Sequence, residues 1–339
     1  MRPGPAGLST APVAALFLTP DQQLVAVNAD GALGVHRWVT PRSEFGSFTF
    51  SAAAADLAYG VELDAAPKRL GAVARGRRHA GAVALVPAAR LVVTAGHWDH
   101  RLRCCALADG RVRQSLGAHR AAVTCLAVCG PAGPVVTGSR DTTVMVWHLR
   151  KEDARKKKLG GGGGGLVLED RPRRVLYGHD AEVTCVAASG AADVVASGAA
   201  NGVVVLHDLR RGAVVRGLLV PGRPPLARLA IRGDGGLVAY SAADLSLHAF
   251  TVNGRRLASA EAGERLGALA FGGGGGEFVV TGGARGVLAV RRFHDLRCVR
   301  RVDCGHGPIT ALLVTPEGCV VVGAEGGEVM LYIADAAKL

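Results

Sequence analysis

The chain has 339 residues, with 40 Lys and Arg against 28 Asp and Glu, a formal net charge of +12 and 4% aromatic residues. No apolar run reaches the roughly 20 residues that span a bilayer, and the opening MRPGPAGLST lacks the apolar core of a signal peptide; there is no transmembrane segment, and a cytoplasmic location is the default expectation. Only six of the basic residues are lysine, and Ala, Gly, Val and Pro, which like arginine have GC-rich codons, are abundant; codon bias and scarce aromatics argue against nucleic acid and leave an acidic protein partner or an anionic membrane as the better uses of the charge.

Along the chain, residues 1–12 are read as a stub from a longer chain, because two prolines and two glycines make Met1–Thr10 a poor strand. From Val13, short apolar runs bounded by Gly, Asp and Asn recur at about 40-residue intervals, each unit reading as an apolar strand, a turn, a strand of the form Val-Val-small-Gly, a turn and a further apolar strand. The first unit spans Val13 to Trp38 and the second Ala82 to Gly110. Two more follow His119 and His179, and the last three span Leu226 to Gly254, Leu266 to Asp295 and Ile309 to Ile333. Residues 13–339 are expected to form one domain with insertions at about 40–70 and 150–175. The first insertion holds Ser47-Phe-Thr-Phe50, read as the outer strand of unit one. The second, Arg150 to Gly165, combines a charge run including Lys156 to Lys158 with six glycines and is expected to be a disordered spacer between units three and four. Unit seven shows three strands before the tail after Ile333, so its fourth strand is expected from elsewhere, and the natural protein is expected to continue upstream.

Units three and four share one spacing. His119 is followed by Asp141 after 22 residues and Trp147 after 28; His179 is followed by Asn201 after 22 and His207 after 28. This is the signature of a WD-repeat blade, a four-stranded antiparallel sheet that cannot bury its apolar faces alone and stacks with its neighbours into a ring. The fold class expected is all-β, a seven-bladed propeller whose last blade is incompletely closed. In blade three His119, Thr137, Asp141 and Trp147 should form a buried chain in which the carboxylate orients the imidazole and the indole N–H finds an acceptor. Blade four has His179, Ser197, Asn201 and His207, which keep hydrogen-bonding capacity but lose the charge and the indole, so a weaker network is expected there.

The eight cysteines form no CxxC pair. Cys125 and Cys185 each fall six residues after their unit's histidine, and a repeated position on an apolar strand is better explained by a small buried side chain than by a metal or disulfide. Cys104 and Cys105 are adjacent, so their side chains take opposite faces of a strand and at most one is expected to lie inward. His97, Asp99 and His100 crowd one turn, but neighbours in a tight turn diverge, and no nucleophile, third ligand or phosphate-cradling loop accompanies them. No catalytic, cofactor-binding or metal-binding residue is assigned. The turns and loops carrying the Asp and His positions should share one face of the ring, the top, and there Trp98, His100, Arg140 and Arg285 have the composition of a protein-binding surface; the alternative for Trp98 is that it folds back over its own blade.

Gly96-His-Trp-Asp-His-Arg-Leu102, Val123 to Val128, Thr137 to Trp147, Leu176 to Val186 and Leu245 to Ser259 resemble the C-terminal WD-repeat propeller of BEACH-domain proteins, the neurobeachin group, and most of all its plant and algal members. The resemblance runs from about Ala26 to the end, and Gly-His-Trp-Asp followed by Gly-Ser-Arg-Asp-Thr-Thr at this distance is far more specific than a generic WD match. It implies a non-catalytic interaction scaffold, peripheral to endomembranes, acting in vesicle trafficking and in some members in autophagy or mRNA granules, with preceding PH-like and BEACH domains. Ala200-Asn201 departs from the family's acidic turn, and the tracts Gly160 to Gly165 and Gly272 to Gly276 resemble local expansions. The competing reading is a stand-alone WD-repeat adaptor, such as a ubiquitin-ligase substrate receptor or a coat-like subunit.

Overall fold

Short apolar strands joined by tight turns have nowhere to go but into consecutive antiparallel meanders, and the chain forms seven of them. The computed structural model describes residues 11–38, 61–63, 68–69, 82–152, 165–272, 275–316 and 318–332. Blade 1 is β1 (Val13–Leu18), β2 (Gln23–Asn28), β3 (Ala32–Trp38) and β4 (Val61–Leu63), with the two-residue β5 (Lys68–Arg69) also paired to β3. Blade 2 is β6 (Val83–Val86), β7 (Leu91–Thr94), β8 (Leu102–Ala106) and β9 (Val112–Leu116). Blade 3 begins with β10 (Val123–Val128), β11 (Val135–Ser139) and β12 (Val144–Trp147); a separate hairpin of β13 (Leu149–Lys151) and β14 (Leu166–Leu168) follows, and β15 (Arg174–Leu176) returns to complete the sheet. Blade 4 holds β16 (Val183–Ser189), β17 (Val194–Ala199), β18 (Val203–Asp208) and β19 (Val214–Leu219). Blade 5 holds β20 (Leu226–Ile231), β21 (Leu237–Ser241), β22 (Ser246–Phe250) and β23 (Arg256–Glu261), and blade 6 holds β24 (Leu266–Gly272), β25 (Phe278–Gly283), β26 (Val287–Arg292) and β27 (Cys298–Asp303). Among the described residues blade 7 has three strands, β28 (Ile309–Val314), β29 (Val320–Ala324) and β30 (Val329–Tyr332).

The core is divided among the junctions between blades. Each of seven apolar clusters joins one blade to the next, as Leu91, Val93 and Cys104 of blade 2 meet Val135, Met145 and Trp147 of blade 3. The last junction closes the ring: Val13, Leu16 and Leu24 pack against Ala311, Cys319 and Val321, and the Thr310 hydroxyl donates to the Val13 carbonyl at 2.7 Å. Close approach explains the Val-Val-small-Gly pattern. A Cβ at Gly138 would stand 2.6 Å from Cys125 Sγ and 2.7 Å from Val183 Cγ1, and one at Gly323 would stand 2.6 Å from Val13 Cγ1, so a side chain there would push neighbouring blades apart.

Two expectations are corrected, and a third falls outside the described residues. Cys104 and Cys105 are both buried, in the clusters toward blade 3 and blade 1 respectively, because both faces of a propeller blade pack against neighbours and neither is the outside. The strand that extends blade 1 beyond β3 is Val61–Leu63, with Trp38 opposite Val61, whereas Ser47 to Phe50 lies outside the described residues. The second insertion interrupts blade 3 between β12 and β15 rather than separating blades 3 and 4, and its ends are ordered: Arg150 and Lys151 belong to β13, opposite Val167 and Leu166. The apolar Leu166–Leu168 segment drives this pairing. Leu168 is buried with the blade 2 and 3 cluster, and its backbone exchanges two hydrogen bonds with the Gln114 amide. Lys156 to Lys158 lie outside the described residues. No helix among the described residues is long and apolar enough to cross a membrane, a criterion that does not address β-barrels.

Candidate partner-binding face

The turn between the second and third strands of a blade is tied to the loop that enters the same blade's inner strand. The Arg140 amide donates to Ala122 O, that of Ala200 to Glu182 O, that of Ala284 to Arg265 O and that of Glu325 to Pro308 O, all at 2.8–3.0 Å. These repeated ties bring turns and loops together on one face of the ring.

In blade 3 the four spaced residues form a continuous buried network. Trp147 Nε1–H donates to Thr137 Oγ1 at 3.1 Å. The threonine hydroxyl lies 2.7 Å from His119 Nε2, and His119 Nδ1 lies 3.0 Å from Asp141 Oδ2. With the indole N–H occupying the threonine's acceptor side, the hydroxyl proton points to Nε2, and the imidazole carries its own proton on Nδ1, toward the carboxylate. Burial disfavours the charged imidazole and lowers the His119 pKa, with Asp141 pulling the other way. Asp141 is itself partly buried, which favours its neutral form, but hydrogen bonds from the Thr143 hydroxyl and from the Arg120 and Thr143 amides outweigh this and hold its pKa at about 2.

Blade 4 repeats the spacing without repeating the network. Ser197 Oγ donates to Val205 O at 3.2 Å, so it accepts from His179 Nε2 at 2.8 Å and the imidazole proton faces inward. Asn201 turns away and donates to Asp180 Oδ1 at 2.6 Å. His207 donates from Nε2 to Tyr177 O at 2.9 Å and does not reach Ser197. The Nδ1 atoms of His179 and His207 are buried without a hydrogen-bond partner among the described residues. Burial, and secondarily the neighbouring His207, push the His179 pKa down to about 4.

Among the described residues, blade 2 presents the most exposed aromatic side chain. His97 is buried and hydrogen-bonds Thr94 Oγ1 through Nε2 at 3.0 Å, while Arg103 donates to its Nδ1 at 3.2 Å and to Asp99 Oδ2 at 2.9 Å. With the residues on both sides held, Trp98 projects outward at 81% exposure and does not cover its own blade. His100 stands exposed in the same turn, at φ +58°. Arg140, on the adjacent blade, is exposed and pairs with Glu182 of blade 4 at 3.5 Å. Arg285 is also exposed, with its amide held by Glu264 at 2.7 Å, but it belongs to blade 6, three blades from Arg140. Three of the four candidates therefore sit on neighbouring blades and the fourth on the far side of the ring. The described residues contain no group of three or more His, Cys, Asp or Glu side chains placed to hold a metal ion.

Two features had no signal in the repeat pattern. Tyr177, directly after the three-residue outer strand β15 of blade 3, and Val214, Val215 and Leu219 of β19, the outer strand of blade 4, expose apolar surface. Arg228 enters the central channel from β20 and donates to Gly267 O on blade 6 from Nε and Nη2, at 3.2 and 3.1 Å. An arginine interrupting the apolar Leu-Ala-Arg-Leu-Ala-Ile was the clue available in sequence.

A sequence model of the neurobeachin beta propeller domain matches residues 7–339. The chain belongs to the neurobeachin propeller family. It is 34% identical over 333 residues to BEACH domain-containing protein B of Arabidopsis thaliana, a match covering 95% of the chain but 13% of that protein. It is 26% identical over 273 residues to BEACH domain-containing protein lvsE of Dictyostelium discoideum, covering 76% of the chain and 12% of the relative. The chain thus spans about an eighth of the length of these curated relatives. Among solved structures, the WD40 beta propeller domain of Doa1 superposes with a TM-score of 0.69 at 15% identity, covering 98% of this chain and 96% of the other. The computationally designed Ika8 protein gives 0.63 at 22%, covering 96% and 97%. These two likenesses show the fold.

Proposed function

We propose that this ring is the partner-binding module of a BEACH-type protein acting in vesicle and membrane trafficking, at the cytoplasmic surface of endomembranes, with autophagy among the processes served. Partners dock on the top face around Trp98, His100 and Arg140. The observation that carries the reading is the blade 2 turn. Hydrogen bonds to His97 and Asp99 fix the backbone while Trp98 is left 81% exposed, so a large aromatic surface is presented at little conformational cost, as binding hot spots require. The buried tetrads lie beneath this face and hold the turns in place without touching a partner.

Capture of cellular partners by the wild-type ring and by a Trp98→Ala/Arg140→Ala double variant tests this, with bound proteins identified by mass spectrometry. The expected result is loss of captured proteins that belong to trafficking machinery, with the melting temperature nearly unchanged. An identical partner list from the double variant would overturn the assignment of the face, and a list dominated by ubiquitin-ligase components would replace the trafficking role with that of an adaptor.

A further inference from the structure

The inner strands of two blades are stitched to their neighbours by a threonine at one register position. Thr124 donates to Val183 O on blade 4, and Thr310 donates to Val13 O on blade 1. At the corresponding position of β20 stands Ala227, and the next residue, Arg228, takes over the link to blade 6 through Gly267 O. A threonine would suffice for a stitch, yet a charge has been placed in the channel.

Among the described residues that charge has no counter-charge. The channel has a volume of about 220 Å³, and its wall contains Thr184 and Thr310 but no Asp or Glu. A guanidinium has five N–H bonds; three are used, two on Gly267 O and one on Ala227 O. A second cation stands nearby: Arg265, exposed in the loop directly before β24, is close enough to disfavour the charged form of Arg228, adding to the larger effect of burial. The carboxylates around this part of the rim are engaged elsewhere. Glu264 accepts from the Arg285 amide at 2.7 Å, and Asp244 accepts from the amide and hydroxyl of Ser246 at 3.1 and 2.7 Å. A half-buried guanidinium in a carboxylate-free channel, with another at the mouth, creates a positive potential focused by low-dielectric walls.

We propose that the mouth of the central channel, between blades 5 and 6, binds an oxyanion through the free N–H bonds of Arg228, assisted by Arg265. The ligand is a carboxylate or phosphate group, supplied either by an acidic residue of a docked partner or by a free phosphate. The first source rests on the reading of the top face as a docking surface; the second does not. Arginine suits both because its planar donors match two oxygens of either group.

The test is titration of the purified ring with inorganic phosphate, followed by calorimetry and by thermal shift. Because Arg228→Ala would also remove the stitch to blade 6, the informative variant is Ala227→Thr/Arg228→Ala, which installs the threonine that stitches blades 3 to 4 and 7 to 1 while deleting the guanidinium. Wild type is expected to bind phosphate and gain melting temperature. The double variant is expected to melt like wild type without phosphate and to show at least a tenfold loss of affinity, and Arg265→Ala a loss of several-fold. Equal responses from wild type and the double variant, or none from either, would overturn the proposal. If phosphate binds and competes with partner capture, the oxyanion comes from the partner; if it binds and capture is unaffected, it is a free ligand. Partner capture that still depends on Trp98 and Arg140 while phosphate fails to bind would remove the channel site and leave the docking face standing.

Discussion

Blades 3 and 4 share their strand order, their register and the 22- and 28-residue spacings, yet one completes a hydrogen-bond relay and the other does not. In blade 3 each donor meets an acceptor from Trp147 through Thr137 and His119 to Asp141. In blade 4 the direction reverses: His179 donates to Ser197, which donates to the backbone of Val205. The difference begins one residue outside the repeat pattern. Beside His119 stands Arg120, whose amide joins the histidine in binding Asp141; beside His179 stands Asp180, which captures the Asn201 amide and draws it away. Spacing places side chains, and the residue beside the histidine decides which of them meet: Arg120 contributes only its backbone amide and leaves Asp141 to the imidazole, whereas the Asp180 side chain takes the Asn201 amide.

The comparison can be broken most strongly at the residues that occupy the Trp position. Trp147 is fully buried, so Trp147→Ala should cost about 4 kcal/mol in chemical denaturation and lower the melting temperature by roughly 10 °C. His207→Ala, at the same position of blade 4, should cost about 1–2 kcal/mol, because part of what it removes is a buried, unpartnered nitrogen. Equal losses would show that the two networks are energetically equivalent despite their geometry. Between these two variants lies Asp141→Ala, expected to cost about 2–3 kcal/mol by leaving His119 Nδ1, the Arg120 amide and Thr143 without their acceptor. Asn201→Ala, which removes an exposed contact with Asp180, should cost under about 1 kcal/mol.

Acid separates the blades in a second way. The folded-state pKa of His179 is lowered to about 4, below the roughly 6.5 of an unfolded histidine, so the unfolded chain binds more protons between these values. Stability is therefore complete above about pH 6.5 and declines as the pH falls toward 4, by about 2 kcal/mol from this residue once its partial exposure is discounted. His119 is shifted in the same direction. Asp141, held at about 2, contributes stability that is lost only below the ordinary carboxylate range, as the pH falls from about 4 toward 2. Denaturation midpoints of His179→Gln measured from pH 7 to pH 4 should fall less steeply than those of wild type; parallel curves would contradict the assignment. The smallest effect is a gain. Asp180→Arg with Asn201→Asp gives blade 4 the charge pattern of blade 3, frees the turn residue to accept from His179 Nδ1, and should stabilise the ring by about 0.5–1 kcal/mol in the same assay.

The blade 3 relay was readable because strand lengths fix the separations of His119, Thr137, Asp141 and Trp147, and each residue has one chemically obvious partner. The seven strand sets were readable because apolar runs and glycine turns recur at one period. The swing of Asn201 was not, since the competing Asp180 belongs to no motif. The β13–β14 hairpin was hidden by the glycine tract beside it, although Leu166-Val-Leu168 is an apolar run of strand composition. The arginine of the channel stood out in the sequence but its contact did not: Arg228 finds its acceptor on Gly267, 39 residues away, and only the stacking of blade 6 on blade 5 brings the two together. Burial of both Cys104 and Cys105 follows the same logic, because a blade's two faces become interior only when its neighbours are in place.

On the proposed function the ring divides its labour, with buried side chains holding the turns and exposed ones meeting partners. The most direct test sets two tryptophans side by side, Trp98→Ala and Trp147→Ala, each measured for melting temperature and for capture of cellular partners. Trp98→Ala is expected to keep the wild-type melting temperature within about 1–2 °C, as an exposed substitution should, and to lose partners, while Trp147→Ala melts early. A Trp98→Ala ring that captures the full partner set, or that melts as early as Trp147→Ala, would contradict this division.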